Sequence, residues 1–322
     1  MRLVFFGTPQ LAVPTLARLL GGPHRVVGVV TQPDRPRGRG RQRSPSPVAE
    51  CALAAGIPLL RPERVGAPDV VAALRALSPD LGVVVAFGQF LPKSVRELPR
   101  LAYLINAHAS LLPRHRGAAP VAHALLAGDP ETGISIMRVE REMDAGAVCL
   151  TKRCAIRAGD SCGEVEQRLA ELAPGAVAEA LDAIAAGRAQ FAAQDESRAT
   201  LAPKLSAEAA LLDFSRPAAE LARRVSALAP KPGAAAQLGA ERLRILAAHP
   251  EPGALKRAPG AIARDGEALR VATGEGWLVI DRLQRAGGRP LSVADFLRGF
   301  ALPEGAQFTR ATPSGGSHAA AD

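Results

Sequence analysis

Asn106 and His108 stand two residues apart at the end of the apolar run Leu101 to Asn106, and in an extended chain that spacing puts an amide and an imidazole on one side. The pair suits acyl transfer to an amine. A developing oxyanion calls for a donor, which Asn106 offers, and an attacking ammonium must lose a proton, which His108 can accept. The imidazole also needs an orienting partner. Asp144, in Met143-Asp144-Ala145-Gly146, is a carboxylate that could fix the His108 tautomer and favour its protonated form. Plainer roles exist for each: a single His is more often structural than catalytic, Asn is common after strands, and Asp144 fits an ordinary turn. Ser110 with His108 and Asp144 would make a hydrolase triad, but no G-x-S-x-G elbow surrounds Ser110.

Positioning these residues takes a scaffold, and the first half of the chain reads as an open α/β sheet. Leu3 to Phe6, Val26 to Thr31, Leu81 to Ala86, Leu101 to Asn106 and Ile134 to Val139 are strand-like, with a helical pattern from Leu11 to Leu20 and a helix start at Pro47. The fully apolar run at 81–86 suits a central parallel strand. Alternation of this kind predicts a mostly parallel, Rossmann-like sheet whose ligands sit beyond the carboxyl ends of its strands, where Asn106 and Phe87 to Phe90 fall. Asp160 to Arg188 reads as one long helix, with Pro174-Gly175 as the place for a bend, followed by a polar linker.

Beyond that linker the texture changes. Ser215 to Leu228 is helical, with Ser215 as expected N-cap and Pro217 near its start. The runs Arg242 to Ala248, Gly260 to Ala263, Leu269 to Thr273 and Trp277 to Leu283, separated by Gly and Pro, predict a small β-barrel. Ser292 to Asp295 is a capping box opening a short helix. The Ser-, Gly- and Ala-rich tail from Thr312 is expected to be disordered.

The 322 residues favour two domains, and four cysteines (Cys51, Cys149, Cys154, Cys162) without a C-x-x-C pair give neither a zinc spacing nor a disulfide framework. No secretory signal or membrane-length apolar stretch is visible, so a cytoplasmic protein is expected. The net charge of +9 is uneven: residues 1–50 hold eight Arg against Asp34 and Glu50, residues 51–200 are near neutral, and residues 201–322 are again basic. Two basic regions around a neutral centre suit a large polyanion. With only 3% aromatics, base stacking is not the expected mode of grip. The strongest basic feature is Gln32 to Arg43, with Arg35, Arg37, Arg39, Arg41 and Arg43 at alternate places. Two prolines and two glycines predict an irregular loop above the sheet that can enter a nucleic-acid groove; a solvated loop is the plainer alternative.

Asn106-Ala107-His108-Ala109-Ser110-Leu111-Leu112-Pro113, then Arg116-Gly117-Ala118-Ala119-Pro120 and Met143-Asp144-Ala145-Gly146, resemble the signature of the folate-dependent formyltransferases. The resemblance implies Asn106, His108 and Asp144 as the catalytic set and 10-formyltetrahydrofolate as formyl donor, with no metal. It implies Ser110, Leu111, Leu112 and Pro113 as folate contacts, with Phe87, Gly88, Gln89, Phe90 and Leu91 flanking the pterin. Family members formylate several amines. Val4-Phe5-Phe6-Gly7-Thr8-Pro9 and Thr31-Gln32-Pro33-Asp34-Arg35-Pro36 with Gly38-Arg39-Gly40 are similar to the branch acting on methionyl-tRNA. There the basic insertion loop meets the acceptor end of initiator tRNA, and Arg39 and Arg41 match its critical contacts.

Ala202-Pro203-Lys204-Leu205, Pro230-Lys231-Pro232-Gly233-Ala234, Pro259-Gly260-Ala261-Ile262, Leu283-Gln284 and Phe296-Leu297 carry the likeness through the second half. It departs at Phe214 and Lys231, where the family commonly has Trp, and at Ser226-Ala227-Leu228-Ala229. The implied plan is a folate-binding catalytic domain over 1–189, a linker over 190–207, an OB-like tRNA-binding barrel over 208–311 and a tail over 312–322, working as a monomer. A sugar or nucleotide formyltransferase, or an RNA-binding protein without activity, are the competing readings.

Overall fold

The computed structural model describes residues 1–37, 42–253, 257–266, 268–303 and 305–311. Arg39 and Arg41, and the tail from Thr312, lie outside the described residues. The chain divides into two compact units, Met1–Pro120 with Glu131–Ala155 and Glu166–Ala202, and Val121–Pro130 with Ile156–Val165 and Pro203–Asp322.

In the first unit the strands are β1 (Arg2–Gly7), β2 (Arg25–Val30), β3 (Arg35–Arg37), β4 (Gln42–Ser44), β5 (Leu59–Leu60), β6 (Leu81–Val85), β7 (Leu104–His108), β8 (Glu131–Arg138) and β9 (Val148–Ala155). The main sheet runs β5-β2-β1-β6-β7-β8-β9. Pairing is parallel from β5 through β7 and antiparallel for β7–β8 and β8–β9. Val4, Phe6, Val27, Val30, Val84, Phe87 and Leu104 make one side of the core, while Leu3 and Phe5 are fully buried. Residues of both parities are buried because both faces of the sheet are covered, which is why the parallel strands read as unbroken apolar runs. Strand β9 has no such run: its residues alternate exposed and half-buried, as Thr151-Lys152-Arg153-Cys154-Ala155 at a sheet edge must.

Strand order reverses between β1 and β6, so the segments leaving their carboxyl ends splay apart and form a crevice. One hydrogen bond ties them: Thr8 Oγ1 donates to the Phe87 carbonyl at 2.8 Å. The helix expected to start at Pro47 runs Pro47–Ala54, capped by Ser46, whose Oγ accepts from Ala49 N at 3.0 Å.

The basic run departs from expectation. It is not wholly irregular, because Arg35–Arg37 and Gln42–Ser44 pair antiparallel as a short ribbon, β3–β4. Three-residue strands tolerate Pro36 since, among the described residues, no third strand calls on its missing N–H.

The second unit contains β10 (Ala234–Leu238), β11 (Glu241–Glu251), β12 (Ile262–Asp265), β13 (Ala268–Ala272), β14 (Trp277–Arg285), β15 (Pro290–Ser292) and β16 (Phe308–Arg310), all antiparallel in the order β12-β13-β14-β11-β10-β16, with β15 beside β14. The path closes on itself: Ala261 bridges Gln307, and Phe308 N donates to Gly260 O at 2.8 Å. Gly260 is required there, because its φ is +88° and a Cβ would stand 2.1 Å from the Phe308 carbonyl oxygen. Phe214, Leu243, Ile245, Leu278, Ile280, Phe296 and Phe308 fill the barrel-like interior. Phe214, a departure from the family pattern, is buried with its ring centroid 5.7 Å from that of Phe308, whereas Lys231 is exposed. The helix Ala218–Leu228 begins after Pro217 rather than at a Ser215 cap, since the Ser215 hydroxyl donates to Asp213 Oδ1 at 2.7 Å. Ser292 does cap Val293–Gly299, accepting from Asp295 N at 3.1 Å.

Candidate active site

Strand β7 carries Asn106 and His108 on one side, as a two-residue step dictates. Its neighbours fix them: Asn106 lies between Val84 of β6 and Met137 of β8, and His108 is opposite Ser135. Asn106 is half-buried, and among the described residues its carboxamide has no intramolecular partner, so a donor is left at the strand end. His108 is 6% exposed. Its Nε2 lies 2.9 Å from the His115 carbonyl, and a carbonyl only accepts, so Nε2 carries a proton. Nδ1 lies 3.5 Å from Asp144 Oδ2. Both ring nitrogens thus face acceptors.

Asp144 is brought to His108 by a turn in which its own φ is +54°, and its Oδ2 also accepts from Gly117 N at 2.9 Å. Gly146 lets this turn lie against β8: a Cβ there would stand 1.9 Å from the Arg138 carbonyl oxygen. The three expected catalytic residues are therefore gathered at one place, the carboxyl end of β7.

Ser110 is fully buried, and its hydroxyl donates to the Arg114 carbonyl at 2.6 Å while its carbonyl accepts from Ser135 Oγ at 2.7 Å. It closes the turn, which removes it as a nucleophile. Leu112 N donates to Ser135 Oγ at 3.2 Å, and Leu111, Leu112 and Pro113 are half-buried along the same turn. From Phe87 to Leu91 the side chains diverge. Phe87 and Leu91 are core residues, Phe87 edge-on to Phe6 at 5.5 Å, and Gln89 is tied to Val65 N and Pro62 O. Gly88, at φ +85°, turns the chain, and Phe90 is left 67% exposed.

Residues that sequence reasoning assigned to a linker also enter. Arg116, 7% exposed, donates from Nη1 and Nη2 to Glu196 at 2.9 and 2.7 Å and from Nε and Nη2 to Gln194 Oε1 at 3.0 and 2.8 Å. The hydrogen bonds to Glu196 hold Arg116 above its ordinary pKa against burial, and the charges of Glu196, Asp144 and Glu142 add to this. Gln194 Nε2 donates to the carbonyls of Asp144 and Gly146, each at 2.8 Å. No signal in the sequence pointed to these partners of Arg116, which lie some eighty places away, beyond any local pattern.

In the ribbon, Arg35 and Arg43 are exposed, and because Pro36 pairs with Arg43 and Arg35 with Ser44 they stand on opposite faces. The ribbon's root is fixed by Asp34, whose carboxylate accepts from Arg61 Nη1 at 3.0 and 2.8 Å, and by Gln32, whose amide donates to the Phe87 carbonyl at 3.4 Å. Among the described residues no group of His, Cys, Asp and Glu could hold a metal ion, and no helix is long and apolar enough to cross a membrane.

The formyl transferase family profile matches residues 1–181, and the formyl transferase C-terminal domain profile matches residues 204–301. Methionyl-tRNA formyltransferase of Pseudomonas paraeruginosa is 47% identical over 298 residues, covering 92% of this chain and 94% of its own. That of Pseudomonas fluorescens (strain SBW25) is 48% identical, covering 92% of each. Among solved structures, HypX from Aquifex aeolicus in complex with tetrahydrofolic acid has a TM-score of 0.62 at 21% identity over 92% of this chain, which spans 47% of HypX. WlaRD, a sugar 3N-formyl transferase, has a TM-score of 0.66 at 13% identity, covering 90% of this chain and 99% of its own. At such identities the likeness is one of fold.

Proposed function

The chain belongs to the formyl transferase family in both halves, and we propose that its Asn106–His108–Asp144 centre moves the formyl group of 10-formyltetrahydrofolate to the α-amino group of methionyl-initiator tRNA, giving N-formylmethionyl-tRNA for translation initiation. It is a transferase acting on methionyl-tRNA with a folate donor, as its relatives at 47% and 48% identity over nearly their whole length are named. The observation that carries the catalytic assignment is the convergence of Asn106, His108 and Asp144 at the end of β7, with His108 Nδ1 3.5 Å from Asp144.

The amine attacks the formyl carbon, and the carbonyl oxygen gains negative charge as the new C–N bond forms. Asn106 donates to that oxygen through its free carboxamide, and His108, held between Asp144 and the His115 carbonyl, places positive charge beside it. Collapse breaks the bond to the folate nitrogen, which takes up a proton as the amine gives one up. The turn Ser110 to Pro113 lines the folate site, with Ser110 shaping it from beneath. Of Phe87 to Leu91, the exposed Phe90 offers the pterin a ring. Arg35, Arg37, Arg39, Arg41 and Arg43 of the basic run hold tRNA phosphates, assisted by the barrel over 208–311. A monomer in the cytoplasm is sufficient for this role, with residues 1–189 as catalytic domain and 190–207 as the connection.

The test is direct. Purified protein with 10-formyltetrahydrofolate and charged initiator tRNA should yield formyl-methionine on the tRNA. No such product, with formylation of an amino sugar or nucleotide amine instead, would overturn the reading of the acceptor; tRNA binding without any transfer would overturn the enzyme.

A further inference from the structure

His108 is confined by two acceptors, and both are held in place by one later segment. Asp144 is fixed through its backbone: the Gln194 amide donates to the carbonyls of Asp144 and Gly146, at 2.8 Å each. Gln194 is itself anchored, since its Oε1 accepts from Nε and Nη2 of the buried Arg116. Six residues on, Thr200 Oγ1 accepts from His115 N at 2.9 Å, and Thr200 N donates to Pro113 O at 3.3 Å. His115 is the residue whose carbonyl takes the His108 Nε2 proton, and its φ of +58° is a conformation an L-residue holds only when its surroundings impose it. The loop is pinned further by Ala202 N donating to Arg116 O at 2.6 Å, with Gly117 packed so close that a Cβ would lie 2.7 Å from Ala202 O.

We infer that Gln194 and Thr200 are positioning residues for His108, Gln194 acting through Asp144 and Thr200 through the His115 carbonyl. Neither touches the reacting atoms. A carboxylate 3.5 Å from the ring and a carbonyl 2.9 Å from it set opposite edges of the imidazole, so releasing either tilts the ring away from the developing oxyanion. A misplacement on the order of 1 Å at such a group costs about 100-fold in rate. The inference rests on the formyl-transfer reading of the same centre.

The experiment uses the full chain with Gln194→Leu, Gln194→Glu, Thr200→Val and Thr200→Ser. Gln194→Glu keeps an oxygen for Arg116 but loses both donors to the Asp144 turn, so it reads that link even if Gln194→Leu folds poorly. Gln194→Leu, Gln194→Glu and Thr200→Val are expected to lower kcat by roughly 10- to 100-fold, with KM for both substrates within about threefold. Thr200→Ser, which retains the hydroxyl, should restore wild-type kcat.

In an Asp144→Ala background, followed by single turnover, Gln194→Glu should add less than about twofold, because the link it breaks passes through Asp144. Unchanged kcat in all three variants, or the same loss of kcat with and without Asp144, would overturn the inference. Wild-type activity separates this from the reading beneath it: if the wild type formylates a small amine rather than methionyl-tRNA, the same ratios are read with that acceptor. Independently of any turnover, the ring nitrogen-15 shifts of His108 should move in Thr200→Val and stay in place in Thr200→Ser; no movement in Thr200→Val would also overturn it.

Discussion

The end of β7 and the ribbon β3–β4 belong to the same unit and are held by opposite means. Around His108, nearly every polar group is spoken for: Asp144 by Gly117, the Asp144 turn by Gln194, His115 by Thr200 and the Ser110 turn by Ser135. The ribbon has one short antiparallel pairing and exposed guanidiniums at Arg35 and Arg43, and among the described residues it is fixed at its root by Asp34–Arg61 and Gln32. Bond formation fails when a group is displaced by an ångström, so its scaffold is over-determined. Attraction of arginines to phosphates decays over about 8–10 Å at physiological salt, so a ribbon with the proposed role of holding tRNA phosphates needs no rigid frame.

The largest effects should follow changes at β7. Replacing His108 by Ala is expected to lower kcat by about 1,000-fold or more, and Asn106→Ala by about 100- to 1,000-fold. Neither should shift KM for tRNA by more than about twofold. Steady-state formylation with each substrate varied checks this; near-normal kcat for either variant would dissolve the distinction between the two regions.

Next comes the tolerance of the backbone. Gly146→Ala puts a Cβ where the Arg138 carbonyl oxygen is 1.9 Å away, so the Asp144 turn must move. A cost of about 2–4 kcal/mol is expected, seen as a lowered Tm together with lost kcat. A Gly146→Ala protein with wild-type Tm and kcat would mean that the turn is not over-determined after all.

The ribbon should respond more gently and in another coordinate. Arg35→Ala and Arg43→Ala are each expected to raise KM for tRNA by about three- to tenfold and to reduce the slope of log affinity against log salt by about one, leaving kcat at saturating tRNA unchanged. Titrations at several salt concentrations decide it, and an effect of either variant on kcat alone would place that arginine with the chemistry instead.

Much of this contrast was legible in the sequence, and the unread parts share a cause. Asn106, His108 and Asp144 stood out through the resemblance carried by Asn106–Pro113 and Met143–Gly146, and the structure brings them together, two on one strand and the third in a turn against it. Most of the parallel strands were readable because burial on both faces leaves unbroken apolar runs, as at Leu81–Val85, whereas the two-residue β5 was too short to show one. Strand β9 was not, since a half-exposed edge such as Thr151-Lys152-Arg153 has no strong period. The ribbon looked irregular because Pro36 argues against strands, yet an isolated pair needs few of its N–H groups. Gln194 and Thr200 read as linker because their partners are Asp144, Arg116 and His115; a polar side chain bonded across dozens of residues leaves no mark on its own neighbourhood.

The smallest expected effect lies at the outer edge of the catalytic region. Glu196 is exposed, and its hydrogen bonds from Arg116 hold its carboxyl below the usual carboxylate range. A group whose pKa falls on folding adds stability that is present above its unfolded value and disappears as pH falls through its folded one. Acidification through the ordinary carboxylate range and below should therefore weaken the Arg116 anchor, while Arg116 stays charged throughout. Glu196→Gln should remove this contribution, so that Tm falls slightly at neutral pH and its decline on acidification becomes shallower. Since solvent screens an exposed pair, the shift should be small beside that of Gly146→Ala. Melting curves from neutral pH downward check the sign. A steeper acid decline in Glu196→Gln than in the wild type would mean that Glu196 does not stabilise the loop, leaving Gln194 as the anchor for Arg116.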